Sequence, residues 1–389
     1  MSPILRHRSD LTGSEVWEGD AREVAAAMPE SSCSLAIFDG PYGMFKAPWD
    51  RMKVADLPEW YRPFLEDADR VLAPSASLYF WNTAEGWAAV HPVILSMGWT
   101  FRALVVWDKG SSKELIGASL MRTWPDQTEV CGFYQREEWA PSTCAGSEIA
   151  HAAGADEANP MPSFFRSERQ RAGMTKRDLA AFFPSKTGGL TGCVANWEGG
   201  MNFPTWEVIQ QAAAAMQETA PLSTTDRPYL VHPDFWRGDG DHLRATYDHL
   251  RAEYDHLRAE YEASRPAFTC PMGIGNVWTH LPVAGAERLR DADGNTLHAC
   301  QKPIEWSERM IRASTRPGET VWAPFGGTLR EAVAAERIAR ADPSEARRVI
   351  TAELNQDGVD YIGPALRQLQ GLGTQRVDPR QGQLFGGAR

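Results

Sequence analysis

CSLAIFDGPYG (residues 33–43) carries an apolar run, Leu35 to Phe38, straight into an acid, two residues of opposite backbone freedom and an aromatic ring. Four consecutive apolar residues ahead of a turn read as a strand buried on both faces, the kind found inside parallel sheets. The neighbouring segments repeat the theme. EVWEGD (15–20) is a short strand ending in an acid, and AREVAAAMP (21–29) is a short helix. LPEWYRPFLEDADRVL (57–72) has a helical period, with Leu57, Tyr61, Phe64, Leu65 and Ala68 on one side. ASLYFWN (76–82), GWAAVHPVILSMG (86–98) and FRALVVWDK (101–109) follow as strand, helix and strand. This alternation predicts an α/β fold with a mostly parallel sheet.

The rhythm stops near residue 141 and resumes near 265. STCAGSEIAHAAGADEANPMP (142–162) reads as a loop or linker. TKRDLAAFF (175–183) is a short helix capped by Thr175 with Asp178 three residues on, and NFPTWEVIQQAAAAMQE (202–218) contains another. Between Asp241 and Tyr261 the text DHLRATY, DHLRAEY, DHLRAEY places Leu and Tyr on one helical stripe. That stripe serves either an arm that pairs with a second copy, giving a homodimer, or a helix lying along the protein's own body. After 265 come a helix (KPIEWSERMIRAST, 302–315), a strand entering a glycine turn (PGETVWAPFGG, 317–327) and a helix (TLREAVAAERIARA, 328–341). A strand ending in Glu353 and a last helix (GVDYIGPALRQLQGL, 358–372) follow. The expected organisation is therefore 15–140 and 265–372 as two halves of one α/β domain, 141–264 as a mainly helical insert, and 373–389 as a polar tail.

The 389-residue chain is 43% hydrophobic and 23% charged, a composition of folded soluble proteins. It has neither a signal-peptide-like start nor a run long enough to cross a bilayer, and no membrane partner is expected. Six scattered cysteines without a CxxC pair read as reduced thiols of a cytoplasmic protein, with no metal site. A formal net charge of −11 disfavours a polyanionic partner, yet residues 166–186 (RSERQRAGMTKRDLAAFFPSK) are locally basic.

Ligands of open parallel sheets bind beyond the carboxyl ends of the strands. Four expected strands end in notable groups there: Asp20, Asp39, the Phe325-Gly326-Gly327 turn, and Glu353. A strand, a glycine turn, a helix and an acid after the next strand are the parts that hold a nucleoside. Asp39, the adjacent carbonyl and Tyr42 offer two acceptors and a flat ring, suited to a planar group bearing an NH2. Phosphate-loop and serine-elbow patterns are absent from the sequence.

EGDAREVAAAMPESSCSLAIFDGPYG (18–43), HACQKPIEWSERMIRASTRPGETVWAPFGG (298–327) and RRVITAELN (347–355) together resemble the DNA amino-methyltransferases. The motif order is similar to their circularly permuted β group, phage-type members included. The resemblance implies a Rossmann-like methyltransferase fold, S-adenosylmethionine as cofactor, DNA as partner and a target base flipped out of the stack. It implies that Asp39 and the Gly40 carbonyl accept from the target amine beside Pro41, while Tyr42 stacks on the base. Asp20 would meet the cofactor's adenine amine. Phe325, Gly326 and Gly327 would line its methionine and ribose portion, Glu353 would bind the ribose hydroxyls, and Lys302 and Pro303 would pack beside it. The middle region would read DNA, with Lys176, Arg177 and Lys186 on phosphates and Asn196, Trp197 or Asn202 near base edges. An acid at the tetrapeptide's first position points to adenine N6. Cytosine N4, or a DNA-binding protein that has lost its cofactor, are the alternatives. Three positions depart from the family pattern: Gly40 replaces the first proline, Ala323 an acid, and Leu329 the last glycine of the cofactor turn, which Leu329 is expected to crowd.

Overall fold

Cys33–Phe38 forms the strand on which the sheet is built, and its alternating side chains feed two separate cores. Leu35 and Ile37 enter one cluster, whereas Ala36 and Phe38 enter the other. The computed structural model describes residues 2–45, 47, 49–110, 124, 127–136, 160–185, 191–200, 202–219, 247–249, 251–252, 254–256, 259, 265–291, 293–298, 300–355 and 359–371. They fall into two compact units, 1–139 with 266–389, and 140–265.

In the first unit the strands are β1 (Ile4–Arg8), β2 (Glu15–Glu18), β3 (Cys33–Phe38), β4 (Leu72–Asn82), β5 (Trp99–Asp108), β6 (Thr128–Arg136), β7 (Val277–Thr279), β8 (Thr320–Ala323) and β9 (Arg348–Glu353). Its helices are α1 (Ala21–Ala27), α2 (Leu57–Val71), α3 (Ala84–Ser96), α4 (Ile304–Ser314), α5 (Arg330–Ala341) and α6 (Ile362–Gly371). The strands make one sheet in the order β1-β2-β9-β8-β3-β4-β6-β5-β7. Among the described residues five pairings are parallel, β2 with β9, β9 with β8, β8 with β3, β3 with β4, and β5 with β7. Residues of α1, α2 and α3 fill one core, and those of α4, α5 and α6 fill the other, so the sheet is sandwiched between helices. The chain runs outward from β3 to β4 on one side and from β8 to β9 on the other. Such a switch point leaves a crevice at the carboxyl ends of the strands.

The strand β6 was not expected from the sequence. Its interior is buried on both faces, so no two-residue alternation marks it. Gly132 interrupts its apolar run because a Cβ there would lie 2.5 Å from the Tyr134 ring. Its antiparallel pairing with β4 and β5 brings Glu129 opposite Trp107.

The second unit is helical where described: Pro160–Arg171, Lys176–Ala180, Cys193–Glu198 and Trp206–Thr219. Thr175 and Asp178 form the expected reciprocal cap. From the repeat, Tyr254 is buried in this unit's core, and Tyr247 stacks edge-on against Phe203 and Trp206 at 5.4 and 5.3 Å. That part of the stripe faces its own unit. Of the expected 142–162 linker, residues 160–162 instead open the helix Pro160–Arg171, while 142–159, the tail after 372 and residues 241–246, 250, 253, 257, 258, 260 and 261 of the repeat lie outside the described residues.

Candidate active site

The ends of β2, β3, β8 and β9 surround a cleft of about 300 Å³, lined by Asp20, Asp39, Gly40, Pro41, Trp49, Phe325, Gly327 and Glu353 among others. The loop after β3 leaves the cleft and returns to it, with Asp39 to Pro41 at one foot and Trp49 at the other. Asp50, 2% exposed, imposes the loop's shape. Its carboxylate accepts from the backbone N–H groups of Tyr42 (3.0 Å), Gly43 (2.6 Å) and Met44 (3.0 Å). The Pro41 carbonyl accepts from the buried Tyr61 hydroxyl at 2.9 Å and from the buried Asn82 amide at 3.3 Å. Gly40 is glycine for want of room. A Cβ there would lie 2.7 Å from the Tyr61 hydroxyl and 3.0 Å from two Phe325 ring carbons, so the family's proline does not fit.

Asp39 sits at the edge of a buried polar network. Lys302 Nζ donates to Asp39 Oδ1 (2.8 Å) and Oδ2 (3.1 Å), to the Tyr42 hydroxyl oxygen (2.7 Å), and pairs with Glu129 at 2.9 Å. The Tyr42 hydroxyl donates to Asp39 Oδ1 at 2.8 Å, and Lys109 pairs with the other Glu129 oxygen at 2.7 Å. Burial alone would raise the Glu129 carboxyl, but the Lys302 and Lys109 charges outweigh it and hold the group at about 2. Burial likewise opposes the charge on Lys302, yet Asp39 and Glu129 raise its affinity for the proton. The Tyr42 hydroxyl is pushed well up, first by burial and then by the Asp39 and Glu129 charges.

Two expectations change here. Tyr42 does not present a free face: its ring is 4% exposed, belongs to the core, and has the Lys302 ammonium 5.0 Å from its centroid. Lys302, expected beside the cofactor, instead reaches Asp39 from behind the loop, while Pro303 caps the start of α4. On this loop the ring that lines the cleft is Trp49, stacked at 5.1 Å on His298. Burial first, then the Lys302 and Arg288 charges, lower His298 to about 4, so that ring is neutral near pH 7.

The other end of the cleft carries the glycine turn. Gly326 donates to the Ala352 carbonyl at 2.7 Å, and a Cβ on it would lie 2.8 Å from Thr351 Oγ1. The Gly327 N–H donates to a Glu353 carboxylate oxygen at 2.5 Å, and burial pushes that carboxyl up to about 7. Asp20 caps α1, accepting from the Arg22 N–H at 2.8 Å, and also faces the cleft. Phe325 packs against Trp60 at 5.7 Å and Phe64 at 5.1 Å, making an aromatic wall. Leu329 does pack against the turn, its Cδ2 lying 3.2 Å from where a Cβ on Gly326 would stand. It adopts a left-handed backbone (φ 54°, ψ 35°) that turns its side chain into the core, where it is fully buried. Ala323 is also buried, with its carbonyl accepting from Thr351 at 2.9 Å.

In the second unit Trp197 is corrected from a base-edge contact to a core residue. It is 4% exposed and packs against Phe165 and Phe183 at 5.8 and 5.2 Å. Its neighbour Glu198 is buried between Arg169 (2.5 Å) and Lys176 (3.2 Å), so Lys176 is already paired although its side chain is half exposed. Arg177 and Asn202 are exposed and Asn196 is half-buried, whereas Lys186 lies outside the described residues.

Sequence reasoning missed Asp50, Glu129, Lys109, Trp49 and His298. Trp49-Asp50 was findable as an aromatic–acid pair shortly after the loop. Glu129 and Lys109 were not, because their meeting depends on the unexpected β5–β6 pairing. Among the described residues there is no group of three His, Cys, Asp or Glu able to hold a metal, and no helix long and apolar enough to cross a membrane.

The N6_N4_Mtase family model, described as DNA methylase, matches residues 33–363. The Type II methyltransferase M.HinfI of Haemophilus influenzae is 28% identical over 95 residues, a stretch spanning 24% of this chain and 24% of that relative. The chain therefore aligns with about a quarter of the length of that curated relative. Among solved structures, PvuII DNA methyltransferase (cytosine-N4-specific) is similar at 12% identity and a TM-score of 0.47, over 96% of this chain and 93% of that one. The M1.HpyAVI–SAM complex is similar at 11% identity and a TM-score of 0.42, over 91% and 98%. Both structural likenesses are remote, and the assignment rests on the family model, which spans most of the sheet and both ends of the cleft: the chain belongs to the N6/N4 DNA methylase family, a family of S-adenosylmethionine-dependent DNA amino-methyltransferases.

Proposed function

We propose that this chain transfers a methyl group from S-adenosylmethionine to the N6 amine of an adenine in DNA. The observation that carries this reading is that Asp39 lines the same cleft as Gly327 and Glu353. An amine acceptor and a nucleoside grip thus share one cavity. The cofactor fits the residues present. Phe325, Trp60 and Phe64 supply an apolar wall, the missing Cβ at Gly327 permits close approach, and Asp20 and Glu353 offer acceptors for an adenine amine and ribose hydroxyls. When bound, it supplies a methyl group already activated on a sulfonium. Alignment is then the main demand on the protein.

Asp39 and the Gly40 carbonyl accept the two hydrogens of the target amine, which turns the nitrogen lone pair toward the methyl group. Both acceptors are better satisfied as positive charge builds on that nitrogen, so they favour the transition state over the bound substrate. Flipping the base costs a few kcal/mol. Trp49, backed by His298, recovers about 1–3 kcal/mol by stacking on it. The choice of adenine over cytosine N4 rests on the resemblance, in which an acid at the position of Asp39 goes with adenine. Residues 160–200 hold six Lys or Arg against three Asp or Glu in a chain of net charge −11, which suits DNA. Arg177 and Lys176 would meet phosphates there, with Asn196 and Asn202 near base edges.

The test is mass analysis of nucleosides from DNA treated with the protein and S-adenosylmethionine. N6-methyladenine is expected. N4-methylcytosine would overturn the choice of base, and no methylated nucleoside at all would overturn the reading. Asp39→Ala should lower turnover by orders of magnitude with cofactor binding nearly intact.

A further inference from the structure

We infer that the Tyr42 hydroxyl and the Lys302 ammonium are positioning groups for Asp39, saturating Oδ1 and leaving Oδ2 as the oxygen offered to the incoming amine. The inference rests on the methyl-transfer reading above and extends it to one atom.

A carboxylate oxygen has two lone-pair directions. Asp39 Oδ1 receives two donors, the Tyr42 hydroxyl at 2.8 Å and Lys302 Nζ at 2.8 Å. Oδ2 receives only the longer arm of the same ammonium, at 3.1 Å. One oxygen is therefore filled and the other keeps capacity. The Tyr42 hydroxyl has a single hydrogen, and Asp39 at 2.8 Å is nearer to it than Glu129 at 3.2 Å. Its oxygen then accepts from Lys302 at 2.7 Å.

The frame behind Asp39 does not follow the carboxylate if it turns. Lys302 is 4% exposed, sits 5.0 and 5.3 Å from the ring centroids of Tyr42 and Trp81, and is held by Glu129 at 2.9 Å. Glu129 is itself held by Lys109 on its other oxygen. The Tyr42 backbone is pinned by Asp50. Asp39 is the more exposed carboxylate of this cage, 23% accessible against 12% for Glu129, and it lines the cleft. A free aspartate would swing between rotamers and offer either oxygen. Here the amine meets one oxygen in one direction, which is what an in-line attack needs. This gives position 42 a need for a hydroxyl as well as a ring.

Tyr42→Phe decides the matter, since it removes one oxygen and keeps the ring and the Lys302–Asp39 pair. In tritiated methyl transfer to DNA by the full chain, kcat should fall about tenfold to a hundredfold. The KM for DNA and the calorimetric Kd for S-adenosylmethionine should each stay within about twofold. A role confined to stacking or packing predicts an unchanged kcat, or a rise in KM matching the loss, and either result overturns the inference. Lys302→Met should lower kcat further, but it takes the ammonium from Asp39, leaves Glu129 with Lys109 alone and endangers the fold, so it is secondary. A wild-type chain that transfers no methyl group would bring down the methyl-transfer reading itself. Transfer by the wild type with an unimpaired Tyr42→Phe would bring down this inference alone.

Discussion

Leu329 offers a test in which the usual ranking of two substitutions should invert. Its backbone sits in the left-handed region at φ 54°, and its side chain is 0% exposed within the core that also holds Val321, Val333 and Ile362. Truncation to alanine leaves the backbone strained and opens a cavity, at a cost of about 2–5 kcal/mol. Truncation to glycine opens the same cavity but removes the clash of Cβ with the following carbonyl, worth about 1–2 kcal/mol. In a helix interior glycine is about 1 kcal/mol worse than alanine. At this helix-capping residue it should be better than alanine by about 1 kcal/mol. Both variants should still be less stable than the wild type, because the lost burial exceeds the recovered strain. Urea unfolding followed by tryptophan fluorescence measures all three. An alanine variant as stable as the glycine variant, or more so, would refute the claim that Leu329 holds a strained conformation in exchange for core packing.

Asp50→Ala removes a charged acceptor from three backbone N–H groups and should cost about 2–4 kcal/mol. It should also lower methyl transfer more than cofactor affinity, read by denaturation and calorimetry side by side. Gly40→Ala should destabilise by about 1–3 kcal/mol through overpacking, more than the 0.4–1 gained by stiffening the unfolded chain. Adding Tyr61→Phe should recover part of the loss in a double-mutant cycle, because the hydroxyl at 2.7 Å is the nearest obstacle. Glu353 titrates at about 7 in the folded chain, above its ordinary 4.5, because burial disfavours the charge. Its contribution to stability is full below about pH 4.5 and is lost as pH rises through about 7. Cofactor binding should move the opposite way and tighten from pH 6 to 8 as the acceptor ionises, and Glu353→Gln should flatten both slopes.

What the sequence revealed was local. The buried strand at 33–38, the glycine turn at 325–327 and the acids at 20, 39 and 353 announce themselves through short patterns, and all of these acids reach one cleft. Apart from Asp50, eight residues from Tyr42, the groups that hold the site in shape are non-local. Lys302 and Asp39 are 263 residues apart, and Tyr42 and Glu129 are 87 apart. No spacing rule links such pairs. Trp197 misled for a related reason: an aromatic beside Asn196 looks like a reader of bases, but only the packing of Phe165 and Phe183 reveals it as core. Tyr42 misled because its ring signalled stacking, while its neighbours Lys302 and Glu129 were invisible from the loop itself.

The departures at 40 and 329 look like decay when set against the family pattern, yet each has a structural replacement. A proline at position 40 would stiffen the loop by about 0.4–1 kcal/mol. In its place the loop has an Asp50 carboxylate taking three N–H groups and a Tyr61 hydroxyl on the Pro41 carbonyl. Bonds to a charged acceptor contribute about 1.5–3 kcal/mol each, so the clamp exceeds what the missing ring would have supplied. A glycine at 329 would give a relaxed turn, and the leucine gives a strained turn anchored in the core. In both cases rigidity has passed from the backbone of the motif to tertiary contacts around it. The loop's geometry then depends on α2, which carries Tyr61, as much as on its own four residues. Substitutions on the buried face of that helix should therefore reach methyl transfer through the Pro41 carbonyl, and at Tyr61 also through its ring contact with Phe325 at 5.9 Å.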